Sequence, residues 1–132
     1  KALQTWEGNW SSESGSLALE RLLEQYAEMD AIFIGNDQMA LGVIQIARQK
    51  GLEIPDDIGL VGFDNIPESA YFCPPLTTMQ QDHYSLAKLA VEEIIKTIES
   101  VWDGAELDGP VNSIILPPTL VVRQSSLHIK ED

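Results

Sequence analysis

Two residue pairs in this 132-residue chain have types and spacing suited to gripping a small polar molecule, Asn36-Asp37 and Asp64-Asn65. Each follows a short apolar run: Ala31-Ile32-Phe33-Ile34, closed by Gly35, and Ile58-Gly59-Leu60-Val61-Gly62-Phe63. Trp10 stands in the polar stretch Gly8-Asn9-Trp10-Ser11-Ser12, and Gln81 comes shortly after Thr77-Thr78. A carboxylate accepts bonds from two neighbouring hydroxyls, and a carboxamide both donates and accepts. An indole face covers the apolar side of a sugar ring. The set therefore suits a polyhydroxylated ligand, and it equally suits a purine held by stacking and edge hydrogen bonds. Each residue also has a plainer use. Asn36 and Asp37 can be helix caps, Asp64 can shape a turn, Trp10 can be core, and Gln81 can simply end a strand.

Other chemistries lack their residues. There is no G-x-S-x-G elbow, no Walker A loop and no G-x-G-x-x-G after a strand. His83 and His128 are far apart, and Cys73 is the one cysteine, so no Cys/His set is present to hold zinc. We expect no catalytic residues, no metal and no cofactor.

The candidate residues need elements to carry them. From Gly15 to Met29, Leu19, Leu22, Leu23 and Tyr26 recur at helical spacing, with Ser11 or Ser12 as cap. Residues 31 to 34 read as a buried strand. Met39, Val43, Ile46 and Ala47 stripe the helix that follows, which stops at Gly51. Residues 58 to 63 read as a second buried strand, 65 to 76 as a loop, and Thr77 to Gln80 as a short strand. Asp82 caps a long helix to about Val101, with Leu86, Leu89, Ala90, Ile94 and Ile98 on one face. Gly104 to Pro110 is a loop. Ile114 to Val122 is extended but broken by Pro117-Pro118, which puts it at a sheet edge or crossing. A further short strand is possible at Ala2 to Thr5, and the polar tail after Ser125 should fray. Alternating strands and amphipathic helices predict an α/β fold, a parallel sheet flanked by helices. Ligands of such sheets bind beyond the carboxyl ends of the strands, which is where both polar pairs fall.

Charge narrows the partners. Eight Lys and Arg stand against 21 Asp and Glu, a formal net charge of -13. A chain so acidic repels a phosphate backbone, whose affinity for proteins comes from Lys and Arg displacing counterions. Anionic membrane surfaces are disfavoured for the same reason. No apolar run is long enough to span a membrane, and no signal-peptide pattern follows Lys1. A lone thiol suits the reducing cytoplasm, so we expect a cytoplasmic protein.

Five segments together resemble a known family. They are Gly8-Asn9-Trp10 with Ser14-Gly15; Ile34-Gly35-Asn36-Asp37-Gln38-Met39-Ala40-Leu41-Gly42; Ile54-Pro55-Asp56-Asp57-Ile58 through Val61-Gly62-Phe63-Asp64-Asn65; Pro74-Pro75-Leu76-Thr77-Thr78; and Leu116-Pro117-Pro118 with Leu120-Val121-Val122-Arg123. In order and spacing they resemble the C-terminal effector-binding part of LacI/GalR-type transcription repressors, over nearly the whole chain. The resemblance implies an incomplete C-terminal lobe of a type I periplasmic-binding-protein-like fold. It implies an effector, a sugar or nucleoside-like metabolite, held between two lobes to control operator affinity. DNA contact would come only through an N-terminal domain absent from this chain. By similarity, Trp10, Asn36, Asp64 and Gln81 would bind the ligand. Leu41, Ile44, Gln45, Arg48, Tyr71 and Phe72 would face a second subunit of a homodimer. Residues 1–81 would form the C-terminal lobe, 82–112 would belong to the N-terminal lobe, 113–126 would cross back, and 127–132 would be tail. The competing reading is a periplasmic sugar-binding protein of a transport system.

Overall fold

The computed structural model describes residues 5–104 and 113–127. These fall into two units, one within Lys1–Gln80 and Thr119–Asp132, the other within Gln81–Pro118. Apart from Thr5, the strand read at Ala2 to Thr5 lies outside the described residues, as do His128 and most of the loop from Gly104 to Pro110.

In the first unit, helix α1 spans Ser12–Gln25, and Ser11 caps it by accepting from the Ser14 N–H. Strand β1 is Ala31–Phe33, helix α2 is Asp37–Gln49, strand β2 is Gly59–Phe63 and strand β3 is Thr77–Gln80. The segment read as a loop between β2 and β3 contains a 3-10 turn at Pro67–Tyr71. Strand β4 is Thr119–Val121. The sheet order is β1-β2-β3-β4. The first three strands are parallel, and β4 runs antiparallel to β3 with Met79 opposite Leu120. Among the described residues the sheet is thus mixed, with the reversed β4 at an edge, one of the two places, edge or crossing, that the Pro117-Pro118 break allowed.

The core forms between α1, α2 and one face of the sheet. Leu19, Ile34, Met39, Val43, Ile44, Ala47, Ile58, Leu60 and Leu76 are all buried in it. Two sequence expectations fail here. Residues 31 to 34 were expected to be a strand buried throughout, yet Ala31 and Phe33 are exposed, and only Ile34, just past β1, is buried. β1 is the other edge strand among the described residues. The side chains alternating away from α2 stay exposed or half-buried, with Phe33 and Phe63 meeting edge to face at 6.4 Å. Ile44, expected at a subunit interface, points instead into the core at 6% exposure. It lies on the stripe of Ala40, Val43 and Ala47, all buried, so the helical period that exposes Leu41, Gln45 and Arg48 turns Ile44 inward. Phe72 is half-buried and packs against the core, whereas Tyr71 is exposed.

Small residues let α1 and α2 approach closely. The Ser12 hydroxyl donates to the Gln38 carbonyl at 2.7 Å, and the Ser16 hydroxyl to the Gly42 carbonyl at 3.2 Å. A Cβ at Gly15 would collide with the Met39 main-chain carbonyl, and one at Gly42 with the Ser12 carbonyl. Lys50 ends α2, and Gly51 follows at φ 74°, a conformation that costs glycine little.

The second unit is built on α3, His83–Trp102. Asp82 caps it, accepting from the Ser85 N–H at 3.0 Å and the Ser85 hydroxyl at 2.6 Å. Those bonds hold the Asp82 carboxyl below its ordinary value, the side-chain bond contributing most. No α3 residue is buried. Leu86, Leu89, Ala90 and Glu93 line a shallow recess with Ile114 and Leu116. Ile94 and Ile98, read on the same apolar face, are exposed. No helix among the described residues is long and apolar enough to cross a membrane.

Gly15→Ala should lower the unfolding free energy by about 1–3 kcal/mol, the usual cost of overpacking. The clash is with main chain and outweighs the roughly 0.5–1 kcal/mol by which alanine favours a helix. Urea denaturation of the full-length protein measures it.

Candidate functional site

Parallel pairing puts the carboxyl ends of β1 and β2 side by side. Beyond β1 the chain runs Ile34-Gly35-Asn36-Asp37 into α2, and the Ile34 N–H still donates to the Val61 carbonyl at 2.8 Å. Asn36 is the N-cap of α2, accepting from the Met39 N–H at 2.9 Å. Its carboxamide NH2 donates to the Trp10 carbonyl at 3.0 Å and to Gln38 Oε1 at 3.0 Å. Asn36 is buried at 7% exposure, with both amide hydrogens committed. The cap role is realised, and what remains for a ligand is spare acceptor capacity on Oδ1.

Trp10 is tied to this corner by its carbonyl and lies beside Gly35, where an added Cβ would come within 3.4 Å of the indole Cζ3. The indole is 67% exposed, so it is not core. Its φ is 71°, left-handed backbone that a bulky L residue seldom adopts.

Beyond β2 the chain turns sharply. Asp64 has φ 104° and Asn65 φ 53°. The Asp64 N–H donates to the Met79 carbonyl at 2.8 Å, and the half-buried side chain leaves the carboxyl end of β2. Asn65 is held at three points. Its N–H reaches the Thr78 hydroxyl at 3.3 Å, its NH2 donates to Gln80 Oε1 at 3.1 Å, and its Oδ1 accepts from Arg123 Nη2 at 2.8 Å. Positive φ at non-glycine residues costs about 1–3 kcal/mol each and persists only where surroundings enforce it. Two of the residues singled out as ligand contacts, Trp10 and Asp64, both sit in that region.

Asp37 is not the cap of α2 but its first residue, fully buried. Its Oδ1 accepts from the Thr78 hydroxyl at 2.7 Å and its Oδ2 from the Ile66 N–H at 2.9 Å. Its place in the first turn of α2 also favours a negative group. Trp10, Asn36 and Asp64 are thus brought to one end of the sheet, linked through Asn36 and Asp37. Gln81 is the first residue of the second unit and is half-buried.

Three supporting groups escaped sequence reasoning. Arg123 also donates to the Leu76 carbonyl at 2.7 Å and the Ser69 hydroxyl at 3.2 Å. Ser125, the residue before the tail expected to fray, is fully buried. Its hydroxyl donates to the Leu60 carbonyl and accepts from the Thr77 N–H, at 2.7 and 2.8 Å. Thr78, buried in β3, joins Asp37 to Asn65. Arg123 and Thr78 stand in segments that carry the family resemblance, but nothing in those segments pointed to these bonds, and Ser125 carried no signal. No group of metal-binding side chains occurs among the described residues.

A family model described as a periplasmic binding protein-like domain matches residues 2–126. The chain belongs to this family. Its relatives in the family are LacI-type regulators. The HTH-type transcriptional repressor PurR of Edwardsiella ictaluri is 36% identical over 125 residues, 93% of this chain and 35% of the repressor. The ribose operon repressor of Haemophilus influenzae is 34% identical over 124 residues, 94% of this chain and 36% of the repressor. A Lac repressor dimer bound to operator and the anti-inducer ONPF superposes with a TM-score of 0.77 at 33% identity, covering 92% of this chain and 40% of that one. The chain spans about a third of the length of these curated relatives.

Asn36→Ala removes both the cap of α2 and the tether on Trp10, and should cost about 1–2 kcal/mol. Asn36→Ser restores a capping hydroxyl and should recover most of that loss without the tether. Chemical denaturation of the two variants separates the contributions.

Proposed function

We propose that this member of the periplasmic-binding-protein-like family is the effector-sensing part of a LacI-type repressor, and that Trp10 and Asp64 form the ligand rim. The observation that carries the reading is the strained backbone at both residues. Trp10 at φ 71° and Asp64 at φ 104° stand at one end of the sheet, joined through the Asn36-Asp37 corner. Strain of this kind clusters where a side chain must be aimed. An exposed indole and a carboxyl at the same end of the sheet suit a ring bearing neighbouring hydroxyls, a sugar or a nucleoside. Asn36 supports the rim by holding the Trp10 carbonyl, and Gln81 remains a candidate contact. The effector acts only through unequal affinity for two arrangements of the protein.

The repressor reading is favoured over a transport binding protein by its relatives, which are named as repressors. The acidic chain itself repels DNA, so operator contact belongs to another part of the protein. A repressor that acts on DNA would work in the cytoplasm, which is the location we propose. The exposed stripe of Leu41, Gln45 and Arg48 on α2, with Tyr71 and the half-buried Phe72 nearby in sequence to one another, is our candidate contact with a second subunit. A dimer is the form in which the Lac repressor relative is seen on its operator.

Thermal-shift screening of the full-length protein against pentoses, hexoses, nucleosides and free bases should find a ligand bearing a vicinal diol. Trp10→Ala and Asp64→Gly should each then weaken its binding by roughly tenfold or more, the worth of a hydrogen bond to a charged group or a stacked ring. Glycine at 64 relieves the backbone strain, so loss of binding cannot be blamed on unfolding. Calorimetry giving wild-type affinity in both variants would remove the rim from consideration. For the subunit contact, Leu41→Glu should shift sedimentation towards monomer while leaving the circular dichroism unchanged. A dimer of undiminished strength points to some other surface.

A further inference from the structure

The rim depends on a residue that does not itself meet solvent. We infer that Asp37 is a positioning residue for Asp64: its buried carboxyl locks the Asp64-Asn65-Ile66 turn in the conformation that turns Asp64 toward a ligand's diol. This rests on the reading of the rim as a diol site. The argument starts from the turn. Two consecutive non-glycine residues at φ 104° and 53° do not hold that shape unaided. The Ile66 N–H, the first amide beyond them, is fixed by Asp37 Oδ2 at 2.9 Å. The Asn65 N–H is fixed by the Thr78 hydroxyl at 3.3 Å, and that hydroxyl is oriented by Asp37 Oδ1 at 2.7 Å. The Asp64 N–H is spent on the Met79 carbonyl of β3 at 2.8 Å. One carboxyl thus governs two of the three amides of the turn, directly and through one hydroxyl.

Burial makes that control stiff. Asp37 and Thr78 are both fully buried, so water does not compete for their bonds. Gly62, the residue before the end of β2, leaves no room for error. A Cβ there would collide with Asp37 Oδ1 and sit 2.8 Å from Leu76 Cδ2. The bare glycine backbone is what lets the carboxyl lie flat against the strand. The neighbouring Asn36 holds the Trp10 carbonyl from the same corner, so one dipeptide at the start of α2 serves both sides of the rim.

A residue that only stabilises the fold would weaken every ligand alike. A residue that aims Asp64 weakens only the diol contact. The full-length protein is titrated calorimetrically with adenosine and 2′-deoxyadenosine, and with D-ribose and 2-deoxy-D-ribose. Wild type should prefer the hydroxylated member of a pair by roughly tenfold. Asp37→Ala should lose that preference, bringing the hydroxylated ligand down to the level of its deoxy partner and leaving the deoxy affinity within about twofold. Asp37→Asn keeps an acceptor for the Ile66 N–H and should restore most of the preference. Should Asp37→Ala fail to fold, Thr78→Val removes the hydroxyl that links Asp37 to Asn65 and should show the same selective loss, with Thr78→Ser as its rescue. Equal weakening of both members of a pair, or an intact preference in Asp37→Ala and Thr78→Val, overturns the positioning role alone. Absence of any diol preference in wild type, or its survival in Asp64→Gly, overturns the rim reading and takes the positioning role with it.

Discussion

The first unit turns on the satisfaction of one buried carboxyl. Asp37 is sealed from solvent at the start of α2, and a polar group in that position must find partners or cost the fold several kcal/mol. Its two oxygens find one partner each, the Thr78 hydroxyl and the Ile66 N–H. Those partners come from β3 and from the turn after β2. A single side chain therefore ties the start of a helix, the end of a strand and the middle of the next strand into one corner. Arg123 and Ser125 supply the same service from the far side of β3, reaching Asn65 and Leu76 in one case and Leu60 and Thr77 in the other.

Such a corner can bear strain. Trp10 and Asp64 adopt positive φ angles, rare for a bulky tryptophan and, at 104°, outside the left-handed well that aspartate visits. Hydrogen bonds from rigid elements hold both: Asn36 on the Trp10 carbonyl, and Met79, Thr78 and Asp37 on successive amides of the Asp64 turn. On the proposed reading of the rim, an indole and a carboxyl already set in place would lose less freedom when a ligand arrives.

Packing around the corner follows from small side chains. Gly15 and Gly42 allow the main chains of α1 and α2 to touch, and Ser12 and Ser16 convert that closeness into hydrogen bonds across the helix pair. Gly62 does the same for β2 against Asp37. Bulk at any of these points would push α2 from the sheet and carry the corner with it. The open side of the sheet is different. There Phe33 and Phe63 meet edge to face, and Phe33 remains 65% exposed.

The sequence by itself determined the alternation of elements, the cap at Asp82 and the stop at Gly51, and it narrowed the first cap to Ser11 or Ser12 and the segment broken by Pro117-Pro118 to an edge or a crossing. These are local matters, set by side-chain period, by capping chemistry and by proline's missing N–H. It also placed the polar pairs at strand ends, because a strand's end is marked where its apolar run stops. Tertiary structure alone decided which member of the Asn36-Asp37 pair is the cap and which the buried anchor, since both residues can play either part. It alone turned Ile44 into the core, bared Phe33 on an edge strand and buried Ser125, because burial depends on which faces meet, not on residue type. Nothing local separates Thr78 from any other strand threonine, or Arg123 from a surface cation. Their roles exist only because parallel pairing sets β3 beside β2 and the antiparallel return of β4 brings residue 123 to the turn at 65.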